Sequence, residues 1–122
     1  MAYGTLAVDT LNSSTGVLAS QNGMTGIAKA WANFNGATAT VRTSFNVSSI
    51  TRNSTGIYTV NFTTAMATAN FCANFNSLEY FNSVNDCTNV NSVKVSVSYP
   101  TNTGGAYSYI DESFCYVSVF GS

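Results

Sequence analysis

The chain reads as an all-β domain, an antiparallel β-sandwich of jelly-roll-like form. β-branched and aromatic residues recur in short runs separated by Gly, Asn and Ser clusters. Only one proline, Pro100, interrupts them. No stretch sustains the apolar period of a long helix. At 122 residues the chain can bury one ordinary core but not two. The sandwich is expected over residues 26–122. Residues 1–25 form an amino-terminal arm, rich in Gly, Ser and Thr, with one short apolar run containing Leu6, Val8 and Leu11. Such an arm needs something to lie against, as a docking or strand-exchange segment or as an ordinary edge strand.

In chain order, residues 27–35 alternate Ala28, Ala30, Ala32 and Phe34 with Ile27, Lys29 and Trp31, so both faces carry apolar area and the strand is expected to be covered twice. Val41, Phe45 and Val47 alternate with polar residues, as do Tyr58, Val60 and Phe62. The polar stretch 51–56, ending in Gly56, closes these two strands as a hairpin. Residues 64–70, rich in Ala, suffice for a turn or short helix. An aromatic strand over 71–81 leads into a polar loop, 82–89. The clearest strand is 93–99, with Val93, Val95, Val97 and Tyr99 on one face and Lys94, Ser96 and Ser98 on the other. Gly104-Gly105 is a turn. In the run 113–120, Phe114, Tyr116 and Phe120 oppose Cys115, Val117 and Val119, the pattern of a sheet centre or subunit interface.

The composition excludes several kinds of chemistry. Histidine is absent, which removes the commonest general base and metal ligand. Asp111 and Glu112 are adjacent, so on a strand they point to opposite faces. Asp9, Glu79 and Asp86 are scattered along the chain. Four sequons, at Asn12, Asn46, Asn53 and Asn61, are what chance gives in so Asn-, Ser- and Thr-rich a chain. Cys72, Cys87 and Cys115 read as reduced thiols, with Cys72 and Cys115 as small apolar strand residues and a Cys72–Cys87 bridge left open. The chain is therefore read as non-enzymatic, with no catalytic residue, cofactor or metal ligand.

Charged residues make up 7% of the chain, against about a quarter in an average domain. Four scattered cations form no basic patch, so nucleic acid is not an expected partner. No run near twenty apolar residues spans a bilayer, and the opening residues lack a secretory pattern. The expected product is made in a cytoplasm and stays soluble or assembles there, and a net charge of −1, which gives copies little mutual repulsion, favours assembly. Exposed aromatic and amide side chains suit neutral sugars or protein. Trp31, Tyr107, Tyr109, Asn82 and Asn85 are the candidate surface contacts. Leu6, Val8, Leu11, Phe114, Tyr116 and Phe120 are the candidate assembly contacts.

The pieces KAWANFNG (29–36), SFNVSSIT (44–51) and TGIYTVNFTTAM (55–66) resemble, in order and spacing, a β module of tail-fibre and related virion proteins of tailed bacteriophages of marine and cyanobacterial hosts. The opening GTLAVDTLNSSTG is similar to the start of short phage structural proteins. This resemblance implies a virion location, a homotrimer, other virion proteins of capsid or tail as partners, and host-surface glycan or protein as a target. It carries over no catalytic residue. A short fibre tip, a head fibre and a capsid decoration protein all fit a chain of this length.

Overall fold

The computed structural model describes residues 27–121. Nine strands run through them: β1 (Ala30–Asn35), β2 (Thr40–Phe45), β3 (Val47–Ser54), β4 (Ile57–Phe62), β5 (Cys72–Ser77), β6 (Phe81–Asp86), β7 (Ser92–Pro100), β8 (Tyr107–Tyr109) and β9 (Cys115–Phe120). They form two antiparallel sheets. The first, sheet A, has the order β2-β1-β9-β5, and sheet B has β3-β4-β7-β6, with β8 also paired to β7. The expected sandwich is what forms. After β4 the chain crosses to sheet A as β5, returns through β6 and β7, and sets β7 beside β4, a Greek-key path.

Period-two patterning builds the core. Val93, Val95 and Val97 of β7 meet Tyr58, Val60 and Phe62 of β4 on the inner side of sheet B. From sheet A come Ala30, Ala32 and Phe34 of β1 with Cys115, Val117 and Val119 of β9. The small alanines leave room for rings, and Phe34 packs edge-on to Tyr58 with centroids 5.4 Å apart and stacks on Phe75 at 6.3 Å. Each fully buried Val contributes about 1.5–3 kcal/mol relative to exposure, so the continuous valine face of β7 is the main prop of sheet B.

The run around residues 41–48 is not one strand. Asn46 takes a φ of 54°, and there the chain leaves sheet A and enters sheet B. Asn tolerates this left-handed conformation better than most residues. Its side chain also fastens neighbouring segments: Nδ2 donates to the Lys29 and Thr64 carbonyls, and Oδ1 accepts from the Thr64 amide. The hairpin of β3 and β4 forms as expected, but its turn is tighter, because Ser54 pairs Ile57 across Thr55 and Gly56. Residues 51–54 are strand rather than loop. Residues 63–71 form bends and coil that bury Met66 and Phe71, with no helical turn. Of the sequon asparagines, Asn46, Asn53 and Asn61 all spend Nδ2 on internal hydrogen bonds, and Asn12 lies outside the described residues.

The region 71–89 also differs from expectation. The aromatic run breaks at bends 78–80, so β5 joins sheet A and β6 joins sheet B, and most of the expected polar loop 82–89 is β6 itself. Its register slips between Val84 and Asp86, a bulge that leaves Asn85 unpaired in the ladder and turns it toward β7.

Asp111 ties the hairpin to the segment between β8 and β9. Its carboxylate accepts from Arg52 Nη2 at 2.6 Å, the Gly56 amide at 2.8 Å and the Tyr58 hydroxyl at 2.9 Å. Burial alone would raise this carboxyl, but the hydrogen bonds from Arg52, Gly56 and Tyr58 together outweigh it and hold it below the usual carboxylate range. Glu112, instead of facing oppositely along a strand, is buried in the same irregular segment and accepts from the Ser113 amide. Two glycines make this closeness possible. A Cβ on Gly36 would collide with the Tyr58 hydroxyl and the Glu112 carbonyl. Gly56 has a φ of 67° and lies against the backbone of Ile110 and Val97.

Candidate functional site

On the outer side of sheet B, β7 is flanked by β6 along one edge and, beyond the end of β4, by β8 along the other. Ser98 pairs both Phe81 and Tyr109, and Ser96 pairs both Ser83 and Ile57. The outward residues of β7 here are serines, so the strand forms a low floor between taller neighbours. The result is an open cleft of about 420 Å³. Its walls are Phe81 on one side and Tyr107 and Tyr109 on the other; its floor is Ser83, Ser96, Ser98 and the bulged Asn85.

Local sequence explains each part. Tyr107 and Tyr109 face outward because a tight turn brings β8 back along β7. Gly104 and Gly105 both have positive φ, 59° and 78°, and the Thr101 amide donates to the Ala106 carbonyl. The far end of β8 is fixed by Ile110, whose amide donates to the Val97 carbonyl, next to the Asp111 anchor. Phe81 and Tyr107 meet edge to face, 6.3 Å apart at 83°. Ser96 is only 3% exposed and its hydroxyl donates to Asn85 Oδ1 at 2.9 Å, which occupies the acceptor end of the Asn85 amide. Among the described residues, no charged side chain lines the cleft. A second, apolar recess of about 380 Å³ lies on the other side of Phe81, bounded by Glu79, Tyr80, Tyr99 and Pro100.

The structure gathers four of the five expected surface contacts here: Tyr107, Tyr109, Asn82 and Asn85. Asn82 borders the cleft from an inward register opposite Val97, and its Nδ2 donates to the Tyr80 carbonyl. Trp31 does not join them. It sits on the outer face of sheet A, 37% exposed, beside Phe45. Phe81, Ser83, Ser96 and Ser98 belong to the cleft and were not singled out from sequence. The available signal was the small hydroxyl residues Ser96 and Ser98 at consecutive outward positions of a strand whose other face carries Val93, Val95 and Val97.

The outer face of sheet A is of a different kind. Trp31, Phe45, Phe114, Tyr116 and Phe120 all point outward from it. Strands β1 and β9 are thus covered on one face only by the described residues, not on two. Phe114 lies under the Arg42 guanidinium, 4.2 Å from the ring centroid, and Arg42 Nη2 donates to the Ser113 carbonyl. Both cysteines expected in strands lie in them, but Cys72 is exposed beside Phe120 on this face, whereas Cys115 is fully buried. Burial, then the nearby Glu112 charge, push the Cys115 thiol up to about 12. The candidate assembly contacts Phe114, Tyr116 and Phe120 therefore share one surface; Leu6, Val8 and Leu11 lie outside the described residues.

No family model, no curated protein and no solved structure matches this chain.

Proposed function

We propose that this chain is a non-enzymatic structural module of a bacteriophage virion, of fibre or spike type, which assembles as a homotrimer and contributes to attachment at a host surface. The observation that carries this reading is the pairing of two chemically distinct faces on one small sandwich. Sheet A offers a broad aromatic face, suited to burial against other protein chains. Sheet B offers a neutral cleft with aromatic walls, suited to contact with an external surface. The virion setting rests on the resemblance of residues 29–36, 44–51 and 55–66 to the phage module.

A capsid decoration protein or head fibre is the second reading, favoured by the aromatic face of sheet A alone, since a purely stabilising role requires no cleft. Replacing Tyr107 and Tyr109 by Ala in the assembled particle separates the two: loss of adsorption with intact assembly supports attachment. Normal adsorption, with particles lacking the protein losing heat or salt resistance, supports decoration. For the oligomeric state, sedimentation should give a species near three times 12.9 kDa. A stable monomer at micromolar concentration would overturn the trimer.

A further inference from the structure

We infer that the cleft between β6, β7 and β8 binds a neutral pyranose sugar. The inference rests on the reading that this cleft is the contact site and specifies what it contacts. Phe81 and Tyr107 stand nearly perpendicular, at 83°, so one ring can lie flat against the C–H face of a sugar while the other supports it from the side. The floor is matched to vicinal hydroxyls. Ser96 gives its proton to Asn85 Oδ1, so Asn85 Nδ2 remains a donor and Ser96 Oγ an acceptor. Among the described residues, the hydroxyls of Ser83 and Ser98 have no hydrogen-bond partner. Each sugar hydroxyl both donates and accepts, and this row offers both.

The same residues disfavour other ligands. With no ionic side chain among the described residues of the cleft, an anionic sugar, a phosphate or an acidic peptide gains no charge pairing from them. Lys94 and Asp86 are register neighbours one row farther along, and Asp86 accepts hydrogen bonds from Thr88. A protein partner needs roughly 20–30 residues a side, and the cleft is lined by eight. Its volume, about 420 Å³, lies within the small-ligand range of about 300–1,000 Å³.

The test is an amide-shift titration of the full chain by NMR with methyl β-glucopyranoside, methyl β-galactopyranoside and methyl α-mannopyranoside, against glucuronate. At least one neutral glycoside should shift the signals of residues 81–85 and 107–109. The dissociation constant should be about 1 mM, as expected for about a dozen heavy atoms at ordinary ligand efficiency. The affinity should not change in about 0.5 M salt. Tyr107→Ala and Asn85→Asp should each weaken binding about tenfold or more with an unchanged far-UV circular dichroism spectrum; Trp31→Ala should not weaken it. No response to any neutral glycoside up to about 50 mM, stronger and salt-sensitive binding of glucuronate, or shifts centred on Trp31 would each overturn the inference. Particle adsorption separates this failure from that of the parent reading. If Tyr107→Ala abolishes adsorption while no glycoside binds, the sugar assignment falls and the contact site stands. If Tyr107→Ala particles adsorb normally, the contact site falls, even where a glycoside binds.

Discussion

Replacing Asp111 by Ala should be among the most damaging exposed-rim substitutions in the domain. The side chain is 20% exposed, but two of its donors are not on the surface: Tyr58 is fully buried, and the Gly56 amide is packed beneath Ile110. Removing the carboxylate leaves both donors unpaired, at about 1–3 kcal/mol each, so we expect a loss of about 4 kcal/mol. That is a large share of the roughly 5–15 kcal/mol that holds a domain folded. With about 4–8 °C per kcal/mol at this size, the midpoint should fall by about 20 °C. Urea unfolding followed by circular dichroism measures it directly. Asp111→Asn keeps an acceptor oxygen for Tyr58 and Gly56 and should cost less than half as much. Because the folded carboxyl sits below its ordinary range, its stabilising effect is fully present above the unfolded pKa of about 3.9 and is lost as pH falls through the lower folded value. The gap between wild type and Asp111→Asn should therefore be constant from neutral pH down to about pH 5 and close below about pH 4. A cost under about 1 kcal/mol for Asp111→Ala would refute this account.

Other perturbations follow from the same packing. Gly36→Ala drives a methyl into the Tyr58 hydroxyl and should cost about 1–3 kcal/mol, measured by urea midpoint. Gly56→Ala should cost more, because it adds a left-handed strain of about 1–2 kcal/mol to a backbone collision. At pH 8, iodoacetamide should label exposed Cys72 rapidly and leave Cys115 unlabelled until the protein unfolds, as read by mass spectrometry. Equal labelling would contradict the burial of β9. Tyr116→Lys, on the outer face of sheet A, should shift sedimentation of the proposed trimer toward monomer while costing the dissociated monomer no more than about 0.5 kcal/mol in stability. A trimer unaffected by it would locate the interface elsewhere.

How much of this was legible in the sequence depended on burial. β7 was plain, because its valines alternate strictly and all are buried. The β3–β4 hairpin was plain as well, since Gly56 marks the turn. β6 was hidden: Phe-Asn-Ser-Val-Asn-Asp is made largely of turn formers, and Val84 is the apolar residue it turns toward the core. Its strand character comes from pairing with β7, a tertiary effect that outweighs local preference. The break at Asn46 was equally hidden, because alternation continues through it and only the change of sheet reveals it. Tyr107, Tyr109 and Asn85 stand out in the sequence as aromatic and amide groups suited to a surface. That they converge depends on β6 and β8 flanking one strand, and strand order is not written in any local pattern. Phe81 is hidden for the same reason, because in sequence it closes the aromatic run 71–81.

The joint at Asn46 has a consequence for how this fold can vary. Because one residue carries the chain from the edge of one sheet to the edge of the other, the pleats of β2 and β3 are phased together. A single inserted or deleted residue there would invert the in–out parity of whichever strand gave way, sending Ile50 to solvent or Phe45 into the core. Connections such as 63–71 and 101–106 meet no such constraint. Length variation should therefore accumulate at the ends of the sandwich, the second of these connections beside the cleft between β6, β7 and β8, while the seam between the sheets keeps its count.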